Sequence, residues 1–277
     1  MILVMGASGT VGSLVVRRLV GTGRPVRAAY RTRPVQAPGI EAVPVDLATG
    51  EGLDPALAGV DDMFLLTADG PDQETLQLTA VERALEAGVS RIVLLSVMGA
   101  ETEAFAYART HRAAERRLEA SGRRFVILRP NAFMQNFLTH YRAEIEATGA
   151  FALPCGEAAV SHVDARDVAD VAAHVLRWDE HDGRVYELTG PQALTFAEVA
   201  AIVRSAAGIP VRYRPVDDDT FREASLGFGV PEDVVDRVLE QHRFTRGDSS
   251  ARITSGVAQV LGRAPRTFAD FVRECWT

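Results

Sequence analysis

Four apolar residues, Ile2 to Met5, run without a break into Gly6-Ala7-Ser8-Gly9-Thr10-Val11-Gly12, and an amphipathic stretch starts at once behind them. No other feature of the chain restricts its fold as much. Glycines at these positions let the backbone turn sharply off a strand and let its N–H groups come close to a ligand. They then hand the chain to a helix whose N-terminus favours an anion. A second apolar run, Val26–Tyr30, follows about 20 residues on, the spacing of a βαβ dinucleotide-binding unit. A plain strand-helix turn without a ligand is the competing reading.

The same alternation continues through the first half. Apolar runs predict strands at Ile2–Met5, Val26–Tyr30, Ala42–Val45, Met63–Thr67, Ile92–Ser96 and Phe125–Leu128, with helices over Val11–Gly21, Pro71–Ala87 and Ala104–Ser121. Short continuous apolar runs between helices belong to parallel strands buried on both faces. The expected fold class is therefore α/β, a Rossmann-type doubly wound parallel sheet. After Arg129-Pro130 the alternation weakens. Helices are expected over Phe133–Ala147, Ala165–Arg177, Phe196–Ala207 and Pro231–His242, β-like pieces at Val185–Leu188 and Val211–Arg214, and a last helix from Thr267. Residues 1–130 read as the dinucleotide-binding core. Residues 131–277 read as a smaller α/β C-terminal lobe on the substrate side of a cleft, with segments returning to the core sheet.

Composition narrows the partners and the chemistry. The net charge of −7 disfavours nucleic acid and anionic membrane surfaces, and no apolar stretch is long enough to span a bilayer. All 30 basic residues are arginine. Without lysine, a Walker A site, Schiff-base chemistry and a Tyr-x-x-x-Lys dehydrogenase pair are all excluded. Cys155 and Cys275 fit neither a disulfide framework nor a zinc pattern, and the histidines show no metal-ligand spacing, so a reducing cytoplasm and a metal-free site are expected. Asp179-Glu-His-Asp182 and Asp217-Asp-Asp219 read as solvated caps. Monomer and homodimer both stay open.

The end of the second strand separates the two nicotinamide dinucleotides. NAD sites carry an acidic residue there for the ribose 2′-hydroxyl, whereas this chain has Tyr30-Arg31-Thr32-Arg33. A guanidinium pairs with a 2′-phosphate and stacks on adenine, so NADP(H) is preferred over NAD(H). Asp46, at the end of the third strand, is placed either to bond the adenine amino group or to cap its own turn.

Beyond these motifs, the chain resembles the NmrA-like branch of the atypical short-chain dehydrogenases, which includes NADPH-dependent quinone oxidoreductases, phenylpropanoid reductases and redox-sensing regulators. The resemblance rests on Gly6-x-x-Gly9-x-x-Gly12, Arg31, Asp46-Leu47, Leu94-Leu-Ser-Val-Met-Gly99, Glu115-x-x-Leu118-x-x-x-Gly122 and Ile127-Leu-Arg-Pro-Asn-Ala-Phe-Met-Gln-Asn136. Val163-Asp-Ala-Arg-Asp-Val-Ala169, Tyr186-Glu-Leu-Thr-Gly190 and Leu261-Gly-Arg-Ala-Pro-Arg-Thr-Phe268 extend it over most of the chain. It implies that Gly6, Ser8, Gly9, Thr10, Val11, Gly12 and Arg31 hold the NADP phosphates, with Asp46 and Leu47 beside them. Thr67 and Ser96 are implied to line the cofactor groove, and Pro130 and Asn131 to run beside the nicotinamide. Phe133, Met134 and Phe137 look like pocket wall, although the two phenylalanines fit plain core as well. Cys155 is placed at the cleft mouth or in a structural turn.

In the helix before Glu115 many relatives carry a lysine, and here that slot holds His111, one turn after Tyr107. A neutral histidine can orient the nicotinamide ribose or relay a proton but brings no fixed charge. Carbonyl reduction with Tyr107 as acid is weakened by this change. Quinone reduction suffers less, because a quinone is a strong hydride acceptor. His111 also fits a structural pair with Glu115, and Tyr107 fits packing. The leading expectation is an NADPH-dependent oxidoreductase acting on a small quinone-like or carbonyl acceptor. A non-catalytic NADP sensor and a biosynthetic ketoreductase or isomerase are the alternatives.

Overall fold

The computed structural model describes residues 1–276. Its first half follows the apolar runs: β1 (Ile2–Val4), α1 (Thr10–Leu19), β2 (Val26–Tyr30), β3 (Ile40–Pro44), α2 (Leu53–Leu57), β4 (Asp62–Leu65), α3 (Gln73–Glu86), β5 (Arg91–Leu95), α4 (Ala106–Glu119) and β6 (Arg124–Pro130). Strand β3 begins earlier than its apolar run, because its side chains are largely exposed at the sheet edge and carry little pattern. Helix α2 is too short to display a helical period.

The second half builds α5 (Arg142–Thr148), β7 (Ala150–Leu153), β8 (Ala159–Val160), α6 (Ala165–Val175), β9 (Arg184–Leu188), β10 (Leu194–Thr195), α7 (Phe196–Ala207), β11 (Arg212–Pro215), α8 (Asp218–Gly227), α9 (Glu232–Thr245), α10 (Gly256–Leu261) and α11 (Phe268–Cys275). The helix expected over Phe133–Ala147 is not continuous. Phe133 makes a lone parallel bridge to Val163, and Phe137–Tyr141 is wound as a π-helix ahead of α5. Phe133 and Phe137 therefore do not share the helical face that their spacing implied. Helical periodicity misleads here because tertiary pairing to Val163 takes over the first turn.

Seven parallel strands form one sheet in the order β3-β2-β1-β4-β5-β6-β9. Side chains alternate between its faces. Ile2, Val4, Val93 and Leu95 join the core under α1 and α6, while Leu3, Met5, Ile92 and Leu94 join the opposite core under α3 and α4. Burial on both faces is what makes the strands read as unbroken apolar runs. The winding reverses between β1 and β4, and the carboxyl ends of strands at such a switch point are where α/β sheets bind ligands.

Beyond Asn131 the chain does not remain in one lobe. Helix α6 packs on α1, and β9 closes the core sheet beside β6. A separate core of Phe137, Phe151, Phe196, Phe268 and Phe271 holds the C-terminal lobe, where β7 and β11 pair in parallel. No helix among the described residues is long and apolar enough to cross a membrane.

A buried ion cluster pins the amino end of the sheet. Arg91, fully buried at the start of β5, donates Nε to Asp62 Oδ1 at 2.7 Å and Nη2 to the Leu176 carbonyl at 2.8 Å. Its Nη1 reaches Asp179 Oδ1 at 2.9 Å. In the acidic run, Asp179 and Asp182 serve Arg91 as ion-pair partners while Asp179 and Glu180 stay largely solvated as expected, and His181 is buried beside them. Sequence alone gave no sign of it, since nothing local marks an arginine for burial. Asp62 also pairs with Arg24, so losing Arg91 removes one of its two guanidinium partners and a charged donor to the Leu176 carbonyl without orphaning the carboxylate. Arg91→Ala is expected to cost about 2–3 kcal/mol of unfolding free energy, measured by urea denaturation.

Candidate functional site

One cleft of 1070 Å³ runs from the glycine turn across the carboxyl ends of the strands into the C-terminal lobe. Gly6, Ser8, Gly9, Thr10, Val11, Arg31, Asp46, Leu47, Thr67, Ser96, Tyr107, His111, Pro130, Asn131, Phe133 and Phe137 all line it. Residues far apart in sequence meet there because each follows a strand of the same parallel sheet.

The glycine turn is shaped for a ligand that approaches backbone. Gly6 has φ +64°, and a Cβ there would lie 2.7 Å from the Leu66 carbonyl oxygen. A Cβ on Gly12 would lie 2.2 Å from the Gly6 carbonyl oxygen, so this glycine serves close packing of α1 and does not itself line the cleft. Helix α1 has no side-chain N-cap and no acidic residue in its first turn, which leaves its N-terminal N–H groups for an anion. Arg31 is exposed and makes no ion pair with any carboxylate of the described residues. Thr67 Oγ1 is buried without a partner. An open amide cradle, a free guanidinium beside it and an idle buried hydroxyl along the groove fit a phosphorylated dinucleotide.

Three residues of the groove are committed elsewhere, Ser96 among them through its bond to Glu115. Asp46 Oδ1 accepts from the Ala48 N–H at 2.9 Å and caps its own turn, while the residue still lines the cleft. Asn131 Nδ2 donates to Ser161 Oγ and to the Ser250 carbonyl, both at 2.9 Å, and its Oδ1 accepts from the Ala132 N–H. Its side chain ties β6 to the loop before α10 and has no donor left over.

Helix α4 presents Tyr107 and His111 to the cleft. The expected pairing of His111 with Glu115 does not occur. The side-chain amide of Gln77 on α3 lies 3.1 Å from His111 Nδ1 and holds the ring by a hydrogen bond. Burial pushes His111 down to about 4, so the ring is neutral. Glu115 instead accepts from Ser96 Oγ at 2.6 Å and from Arg129 Nε at 2.8 Å and Nη2 at 2.6 Å. Burial alone would raise its carboxyl, but these bonds hold it below the usual range. Ser96, Glu115 and Arg129 form a brace that fixes α4 against β5 and β6.

The inner pocket is walled by Phe137, which the sequence suggested, and by further aromatic residues that it did not single out. Phe137 meets Phe268 edge-on at 5.2 Å and His162 at 5.5 Å between ring centroids. His162, Phe196, Tyr141 and His140 line the cleft with it. Only Val163-Asp-Ala-Arg next to His162 hinted at this wall. Met134 and Cys155 are corrected: neither lines the cleft. Met134 is buried in the C-terminal core, and Cys155 sits in a turn with Sγ 3.2 Å from His242 Nδ1. Away from the cleft lining, His174, Glu180 and His181 bring one ligand atom each within 4.8 Å of one another, a grouping that linear spacing did not reveal.

The profile of the NmrA-like family matches residues 1–272. The chain belongs to the NmrA-like family. Within it, the chain is 37% identical to the NAD(P)H azoreductase of Xenophilus azovorans over 99% of this chain and 97% of that one. An NADPH-dependent quinone oxidoreductase of Escherichia coli, solved with NADPH, superposes with a TM-score of 0.89 at 26% identity and full coverage of both chains. The triphenylmethane reductase of Citrobacter sp., solved with NADP(H), gives a TM-score of 0.83 at 25% identity over 99% of each chain. These are likenesses of this NmrA-like chain over its whole length.

His111, His162 and His242 all line the cleft, and burial holds each down to about 4. The unfolded chain protonates them near 6.5. The stability they lend is complete above that value and is lost as pH falls from about 6.5 toward 4, by roughly 1.4 kcal/mol per pH unit for each histidine. Thermal unfolding should therefore occur at a lower temperature at pH 5 than at pH 7. In His162→Leu the gap between the two pH values should narrow.

Proposed function

We propose that the chain is an NADPH-dependent oxidoreductase that reduces a small planar acceptor of the quinone or carbonyl kind. The observation that carries this reading is the continuity of one cleft from an amide cradle with a free arginine to an aromatic pocket. The relatives described above are reductases by name, which favours turnover over sensing. Two of them act on dyes or azo compounds by name, so extended conjugated acceptors belong in the same class.

The cofactor supplies the hydride when bound. Everything else falls to the chain. The first-turn amides of α1 bind the pyrophosphate, and Arg31 takes the 2′-phosphate in a charge-assisted pair. Thr67 Oγ1 gains a partner in the filled groove. His111, neutral and held at Nδ1 by Gln77, presents its other ring nitrogen for hydrogen bonding in the cleft. Burial first, and then the nearby Asp69 carboxylate, push Tyr107 up, so its phenol keeps its proton at neutral pH and can give it to a reduced acceptor. Phe137, Phe196 and His162 pack around the planar acceptor and exclude water.

NADPH should bind about ten- to a hundredfold tighter than NADH, the value of one charge-assisted pair, and Arg31→Ala should remove most of that preference. Fluorescence titration measures both. Equal affinities for the two dinucleotides would overturn the phosphate assignment. His111→Ala should lower kcat by ~10- to 100-fold on an aldehyde and by less on a quinone, whose reduced anion needs no proton in the transition state. NADPH consumption across a panel of quinones, azo dyes and aldehydes tests the reading as a whole, and turnover of none of them would sink it.

A further inference from the structure

A nearby cation favours the phenolate that proton donation leaves behind, and no arginine of α4 lines the cleft beside Tyr107. Helix α9, from the other lobe, packs across α4. It brings the Arg237 guanidinium over the Tyr107 ring, 4.8 Å from ring centroid to Cζ. Arg237 Nε and Nη2 are buried and meet no acceptor among the described residues. Its neighbours are neutralised: Arg109 pairs with Glu240 and Arg222 with Asp236. Arg237 has no such partner among the described residues. Leaving the N–H groups of a permanent cation idle inside a protein is costly, and such exceptions in a folded chain call for a reason.

We propose, building on the reductase reading above, that Arg237 is a positioning residue that supplies, from the C-terminal lobe, the fixed positive charge Tyr107 requires as proton donor. The acceptor receives a hydride pair at carbon and a proton at oxygen. The proton comes from Tyr107 Oη: the phenolic O–H bond breaks as the new O–H bond forms, and water later returns a proton to the phenolate. During that interval the guanidinium stabilises the negative oxygen.

The groups facing Tyr107 make this assignment specific. Asp69, from the loop after β4, raises the phenol, and Arg237, from α9, lowers it, both against a larger effect of burial. His111 lies one turn along α4; burial disfavours its protonation, Glu115 favours it, and Arg237 adds a smaller effect against it. His140, on the π-helix, acts on Asp69 rather than directly on the ring. One guanidinium therefore favours the phenolate and the neutral imidazole together, the pair of states that proton donation leaves behind. An arginine suits the task because it stays charged at every working pH.

The test combines Arg237→Gln, Arg237→Lys and Tyr107→Phe. Ultraviolet titration of tyrosinate, taken as the difference from Tyr107→Phe, should show Tyr107 ionising at higher pH in Arg237→Gln and near the native value in Arg237→Lys. This readout needs no turnover, so it separates failure of the proposal from failure of the reductase reading. With an aldehyde and NADPH, Arg237→Gln should lower kcat about tenfold and move the alkaline limb of its pH profile upward, with NADPH affinity unchanged. In the Tyr107→Phe background the same substitution should do nothing further. An unmoved Tyr107 titration, or losses that multiply in the double variant, would overturn the proposal. If Arg237→Gln fails to fold, the Arg237→Lys titration and rate decide: a rate lost despite native Tyr107 ionisation would show a structural arginine only.

Discussion

The approach of α1 to the glycine turn is the contact on which the rest of the molecule depends. Between Gly12 and the Gly6 carbonyl there is no room for a methyl group. That closeness places the amino end of α1 at the switch point between β1 and β4 and aims its amides along the carboxyl edge of the sheet. The position of the amide cradle at the head of the cleft follows from it.

A second constraint acts on the chemistry. Glu115 is buried, and a buried carboxylate is stable only when its bonds replace water. Ser96 and Arg129 supply those bonds from the ends of β5 and β6. The same contacts seat α4, so the orientation of Tyr107 and His111 is set by a network that touches neither. Gln77 then orients the His111 ring from α3. Preorganisation of this kind matters more than the reach of any one side chain, because a misplaced donor forfeits much of its rate effect.

The two lobes cannot act independently. Strand β9 and helix α6 return to the core sheet, while the π-helix, α7 and α9 close over its edge. Helix α9 lines the same cleft and packs on α4. Cofactor groove and acceptor pocket are mechanically joined, which suits a reaction needing both partners aligned and water excluded.

The local pattern of the chain determined the parallel sheet, the glycine cradle, Arg31 and the place of Tyr107 and His111 on one helix. Those features depend on periodicity and on residues a few positions apart, which a sequence displays directly. Phe133 and Phe137 show where that stops: their spacing is helical, yet bridge formation with Val163 unwinds the first turn. Met134 and Cys155 turned away from the cleft for the same reason, since the facing of a side chain in irregular backbone is decided by what packs on it. Arg91, the Glu115 brace, the His162 wall and Arg237 over Tyr107 were decided only by tertiary structure. Each joins residues on different elements, at least 14 positions apart, and pairing energies at such separations leave no local periodic trace.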